Sequence, residues 1–192
     1  MSTDSAEIAD AARALGADVP FVRPARLATD EAAMWPVIRH ALAEVDAEGM
    51  RFSAVLLLDP TSPARLPDDV AGAAALLESR TDADGVLAVS QPDFNPIWTA
   101  VIERDGWLEQ LHPEGAGFVR RQDVPRVLRI TASLYLWRAG YVRAREGDSW
   151  FGGRYLAWEV PERRAIHIDT AEDLELAEVL LREGLVHLPW LP

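Results

Sequence analysis

Four groups of residues in this 192-residue chain have types and spacing that could do chemistry. The first is Asp59-Pro60-Thr61-Ser62-Pro63, a carboxylate and two hydroxyls held between prolines. Such a trio can bind a polar ligand, and the same residues also make ordinary turns. The second is Arg120-Arg121-Gln122-Asp123, with Arg129 a little further on. Three arginines so close in an acidic chain point to an anionic ligand. The alternative is an arginine-rich loop that is solvated or pairs with the chain's own carboxylates. The third is Trp150-Phe151-Gly152-Gly153, whose aromatics suit the wall of a pocket or plain core. The fourth is AIHIDTAEDL, where His167 and Asp169 alternate along an expected strand and so share a face. An imidazole and a carboxylate there could hold Mg²⁺ or another divalent ion, or act as a base. An aspartate before a capped helix is also common for local reasons.

These residues need elements to position them. The apolar run FSAVLLL from Phe52 predicts a strand buried on both faces of a parallel sheet. Pro60 and Pro63 stop it, because neither can donate to a ladder. Asp59, Thr61 and Ser62 then sit past the carboxyl end of a central strand, where open α/β sheets bind ligands. Upstream, Ser5 to Leu15 reads as a helix ended by Gly16, followed by a short strand over Val19 to Val22. A loop spans Arg23 to Asp30, and Asp30 caps a second helix to about Asp46, with Pro36 in its second turn. Downstream, Asp68 and Asp69 open a third helix to about Ser79, and Gly85 to Ser90 is another strand. Such alternation marks a doubly wound sheet.

After Ser90 the pattern changes. Trp98 to Ile102 and Trp107 to Leu111 flank Arg104-Asp105-Gly106, a hairpin signal. Val127 to Trp137 reads as a long strand, with Tyr155 to Val160 and Ala165 to Ile168 as shorter ones. The last helix runs from Ala171 to about Arg182, with Thr170 and Asp173 as its capping box. The apolar tail LVHLPWLP packs back on the body. The whole reads as one domain, with an insertion over about 95–125.

Composition narrows the function. The net charge is −12 and all 19 basic residues are arginine. That balance argues against nucleic acid as a partner, and any phosphate or carboxylate must be met by Arg, backbone N–H or a metal. With no cysteine, disulfides, thiolate metal sites and Cys nucleophiles are excluded. No run reaches the ~20 apolar residues of a membrane span, and the start is polar and acidic rather than a signal peptide. A cytoplasmic location fits.

Together the clusters are far more specific than singly. STDSAEI at Ser2, GADVPFVRPARLATD at Gly16, DPTSPAR at Asp59, NPIW at Asn95, RRQDVP at Arg120, LYL at Leu134 and IHIDTAEDLELAE at Ile166 occur in that order. In this the chain resembles the acylneuraminate cytidylyltransferases, the CMP-sialic acid synthetases, over nearly its whole length. The resemblance implies an α/β nucleotidyltransferase fold with a Rossmann-like sheet and a homodimer that exchanges a protruding hairpin. It implies transfer of CMP from CTP to a nine-carbon acidic sugar, with Mg²⁺ and release of pyrophosphate. By position it makes Arg121 and Gln122 sugar or nucleotide contacts, with Arg129 another anion holder. It makes Tyr135, Trp150 and Phe151 the sugar pocket wall and Asp169, with His167, the metal site.

The departures from that pattern are specific. The first strand and the phosphate loop of the family are absent. Asp59 stands where the family has glutamine, Thr131-Ala132 where it has Asn-Gly, and His167 where it has a second aspartate. Imidazole for carboxylate weakens a Mg²⁺ site. Either a longer protein begins upstream, or the chain is a short form that binds a ligand or partner without catalysis. Without the first strand, exposed apolar surface and unpaired backbone lead us to expect poor solubility.

Overall fold

The computed structural model describes residues 1–191. Its main sheet has four strands, β1 (Ala54–Leu57), β2 (Gly85–Ser90), β5 (Arg129–Arg138) and β6 (Tyr155–Glu159), in the order β1-β5-β2-β6. A separate hairpin is made of β3 (Val101–Arg104) and β4 (Trp107–Gln110). The backbone bonds flanking the strands give their directions. Ala139 N–H, just past β5, bonds Ser53 O, just before β1, and Arg138 N–H bonds Asp84 O, just before β2. β5 is therefore antiparallel to both neighbours. Asp84 N–H to Arg154 O and Val160 N–H to Val89 O tie the starts and ends of β2 and β6 together, so that pair is parallel. The sheet is mixed, not parallel throughout as expected.

β2 is buried at every position, and β1 is not. β1 lies at a sheet edge, with Leu56 and Leu58 exposed beside it. Its unbroken apolar run suggested a central strand; the central, doubly covered strand is GVLAVS. Hydrophobicity alone cannot tell the two, because order in the sheet is set by pairing partners remote in sequence.

The helices follow local rules closely. Ser5 caps α1 (Ala6–Ala14), its Oγ accepting from Ile8 N–H at 3.3 Å, and Gly16 follows at a φ of 85°. α2 (Met34–Ala47) begins four residues after Asp30, so Asp30 is not its cap. That start places Pro36 in the first turn, where a missing N–H costs nothing. Trp35 is fully buried, Ile38 and Leu42 are buried with it, and Met34 is exposed. α3 (Pro67–Ser79) and α6 (Ala171–Arg182) lie where the pattern places them, and Thr170 and Asp173 form the capping box. α4 (Pro96–Thr99), capped by Asn95, takes Trp98 out of the expected hairpin strand. α5 (Ala139–Ala144) follows β5 directly. Two expected strands do not form. Residues 19–22 are irregular with a bend at Phe21, Pro20 having no N–H to give to a ladder, and residues 165–168 are irregular too.

The chain divides into two compact units. The first comprises Met1–Leu56, Arg80–Gly85 and Leu136–Tyr155. Its core is aromatic: Trp35 meets Trp137 edge-on at 5.4 Å, and Trp137, Trp150 and Tyr155 continue the cluster. The second comprises Leu57–Ser79, Val86–Tyr135 and Leu156–Pro192. Within it Asp69, buried on α3, takes both guanidinium nitrogens of Arg164 at 2.5 and 3.1 Å and the Trp158 indole N–H at 3.1 Å. The tail packs back through Val186 and Leu188, which are buried against Ala64, Leu66, Ile166, Leu180 and Leu181, while Leu185, Trp190 and Leu191 are exposed and Pro192 lies outside the described residues. No helix among the described residues is long and apolar enough to cross a membrane.

Candidate active site

The loop after β1 folds around Asp59. Its Oδ1 accepts from Thr61 N–H at 3.0 Å and from the Thr61 hydroxyl at 2.7 Å, while Asp59 O accepts from Ser62 N–H. Two short polar side chains between prolines can satisfy the backbone only locally, which makes this turn rigid. Arg65 closes it from below, donating to Asp59 O and, at 2.9 Å, to Ser133 O of β5. Burial lowers the pKa of Arg65, and the Asp59 carboxylate opposes that. Thr131, Ser133 and Tyr135 share one face of β5. The two hydroxyls are buried and 2.8 Å apart. Burial, and then the charge of Asp59, push the Tyr135 phenol up.

His167 reaches this loop from the far end of the chain. Its Nδ1 stands 3.1 Å from Thr61 Oγ1 and 3.5 Å from the buried Ser62 Oγ. Its Nε2 stands 2.9 Å from Asp169 Oδ1. No ladder holds the segment. One bond, Ile168 N–H to Thr61 O at 2.9 Å, and the capping box behind it do so, Asp169 N–H itself bonding Asp173 Oδ2. His167 and Asp169 thus come together as expected, though not on a strand. Half-buried His167 and mostly exposed Asp169 leave the pair open on one side.

The arginines divide. Arg120 is neutralised by Asp123 at 2.7 and 2.9 Å. Arg129 is neutralised by Glu162 at 2.8 and 3.1 Å and also bonds Ala165 O. Arg121, on a 3₁₀ turn with exposed Gln122, donates to the carbonyl of Asp93 at 2.9 Å and pairs with no carboxylate among the described residues. Pairing with the chain's own carboxylates therefore accounts for two of the three and leaves Arg121 without a carboxylate partner among the described residues. Arg121, Gln122, Phe94 and Asn95 line a cavity of about 400 Å³. Arg129, Glu162, His167 and Asp173 line another of about 610 Å³, and Asp93 borders both.

Trp150 and Phe151 belong to the first unit. Trp150 is part of its aromatic core and stacks on the exposed Phe151 at 4.1 Å. Arg65, Asp93 and Glu162 were not singled out from sequence. Arg65 ends the DPTSPAR stretch; for Glu162, which sits in a PERR turn, no local signal exists.

A metal can be weighed against these groups. No cluster of three or more His, Asp or Glu suited to an ion occurs among the described residues. The Asp169 carboxylate with the adjacent His167 nitrogen nonetheless fits an open site whose remaining ligands come from substrate oxygens and water, the usual way Mg²⁺ is held at phosphates.

The chain is 30% identical over 182 residues to the CMP-N,N'-diacetyllegionaminic acid synthase of Campylobacter jejuni, matching 94% of this chain and 75% of that protein. The chain belongs to the acylneuraminate cytidylyltransferase family. Other similar proteins are the post-translational flagellin modification protein B of Campylobacter coli, 29% identical over 95% of this chain and 76% of that one, and the pseudaminic acid cytidylyltransferase of C. jejuni, 25% identical over 95% and 77%. No protein-family model matches the chain. Among solved structures, CMP:2-keto-3-deoxy-manno-octonic acid synthetase complexed with CTP superposes with a TM-score of 0.63 at 14% identity, covering 95% of this chain and 80% of that one. That likeness shows the α/β cytidylyltransferase fold that the family pattern implied.

Proposed function

We propose that this chain is a cytidylyltransferase that moves CMP from CTP to the anomeric hydroxyl of a nonulosonic acid and releases pyrophosphate. The observation that carries it is the meeting of the DPTSP loop with His167 and Asp169, beside cavities walled by Arg121 and Arg129. Two similar proteins are named for this chemistry on legionaminic and pseudaminic acid. In this reading Arg121, the uncompensated cation, holds the sugar carboxylate or a phosphate. Gln122 adds a hydrogen bond beside it, and Arg129, fixed by Glu162, presents its remaining N–H groups. Asp59, Thr61 and Ser62 hold the nucleotide side, with Thr131 and Tyr135 behind them. Asp169 and His167 would hold a divalent ion, which when bound offsets phosphate charge and polarises the α-phosphate.

The hairpin is the dimer contact in this reading, because Trp107 and Leu108 at its tip are 76% and 72% exposed. A chain without cysteine suits the cytoplasm. The test is pyrophosphate release and CMP-sugar formation from CTP with legionaminic, pseudaminic and neuraminic acids, with and without Mg²⁺ or Mn²⁺. Turnover that falls mainly through a raised KM in Arg121→Ala supports the assignment. A second reading, ligand binding without catalysis, is favoured by the two-residue metal set; saturable CTP or sugar binding with no pyrophosphate released would establish it.

A further inference from the structure

A further cavity lies in the first unit, along α2 and beside α5. Arg26, Arg39, His40, Asp46 and Arg143 line a cavity of about 430 Å³, with Leu42 and Val142 among its apolar walls. Its one carboxylate is already committed: Asp46 takes Arg143 at 2.8 and 2.9 Å, with Arg51 a further 3.5 Å away. Arg26 and Arg39 have no partner among the described residues.

Arg39 is the informative one. Seven arginines of the chain are only partly exposed: Arg23, Arg39, Arg65, Arg129, Arg138, Arg145 and Arg164. Six of them donate to a carbonyl or carboxylate. Arg39 alone does not. A guanidinium never loses its charge, and its five donors are costly to withdraw from water unpaired. His40 beside it leaves Nδ1 buried and unbonded. The cavity thus carries two uncompensated positive charges in a chain of net charge −12.

We propose that this cavity is a binding site for a small oxyanion-bearing metabolite, with Arg39 and Arg26 gripping its phosphoryl or carboxylate group and the Leu42 and Val142 wall taking its apolar body. A cavity of a few hundred Å³ with a few convergent polar groups suits a small molecule. The acidity of the whole chain disfavours a polyanionic surface or nucleic acid as the occupant.

The test uses the full chain, with inorganic phosphate and malonate as probes against chloride at matched ionic strength, read by isothermal titration and by melting temperature. The expected result is saturable binding with a rise in Tm, lost at least tenfold in affinity in both Arg39→Gln and Arg26→Ala and retained in Arg121→Ala. Arg26 is exposed, so its variant keeps the fold should Arg39→Gln perturb α2. Which probe binds more tightly separates a phosphoryl from a carboxylate ligand. Binding by neither probe, binding unchanged in the two cavity variants, or binding lost in Arg121→Ala alone would each overturn the proposal.

Discussion

Thr61 Oγ1 and His167 Nδ1 lie 3.1 Å apart although 106 residues separate them along the chain. The contact joins the loop after β1 to the segment before α6, and it orients the imidazole whose other nitrogen faces Asp169. In the proposed reading the Thr61 hydroxyl therefore has a positioning role through that ring, beside its place on the nucleotide side.

Replacing Thr61 by Val keeps its shape and removes this bond. We expect kcat/KM to fall about 10- to 100-fold, the usual cost of losing such a supporting partner, with Thr61→Ser restoring most of it. Steady-state kinetics of CMP-sugar formation and Mn²⁺ titration of both variants check this. Equal activity in Thr61→Val would remove the positioning role.

An imidazole paired with a carboxylate favours Mn²⁺ over Mg²⁺ relative to two carboxylates. His167→Asp should therefore shift metal preference towards Mg²⁺. The comparison is the ratio of Mn²⁺ and Mg²⁺ dissociation constants, measured calorimetrically in the presence of CTP. An unchanged ratio means His167 is not a ligand.

Asp69 supplies an acid-sensitive lock in the second unit. Burial pushes its carboxyl up, but the bonds from Arg164, Leu66 N–H and Trp158 outweigh burial and hold it below the ordinary aspartate value. A carboxyl depressed by folding contributes stability above its unfolded pKa, and the contribution is lost as pH falls through the folded value. The acid limb of the stability curve below about pH 4 should thus be steep. Asp69→Asn should lower stability by about 3 kcal/mol at neutral pH, because Arg164 stays buried without its charge partner, and should flatten that limb. Urea denaturation across pH 3 to 7 reads both effects.

Gly72 sits inside α3, where Ala normally stabilises by about 1 kcal/mol. Here a Cβ would fall within 2.0 to 2.6 Å of the Trp158 indole. Gly72→Ala should instead destabilise by about 1–3 kcal/mol, the cost of overpacking. The same substitution in a Trp158→Leu background should cost much less, a coupling that a double-mutant cycle of unfolding free energies measures directly.

The β3–β4 hairpin turns through Asp105 and Gly106 at φ of 51° and 82°, and carries Trp107 and Leu108 outward. If the proposed dimer forms through this hairpin, Trp107→Glu together with Leu108→Glu should turn a dimeric parent into a monomer by light scattering. A parent chain that is already monomeric refutes hairpin-mediated dimerisation.

Much of this protein is set by local sequence. Ser5 and Gly16 bound α1, Thr170 with Asp173 starts α6, and Asp105-Gly106 makes the hairpin, because caps and tight turns depend on a few adjacent backbone groups. The ordered motifs from Ser2 to Glu178 likewise placed the chain in its family, since the loops that bear chemistry keep residue types that packing does not demand. What only the tertiary structure decided are the relations between distant segments. That β1 is an edge and β2 the centre depends on β5 running antiparallel between them. That Arg129 is neutralised while Arg121 is not depends on where Glu162 and Asp93 come to rest. Glu162 in particular lies 33 residues from its partner, and an ion pair at that separation has no period or spacing to betray it: only the folded backbone brings the charges within reach.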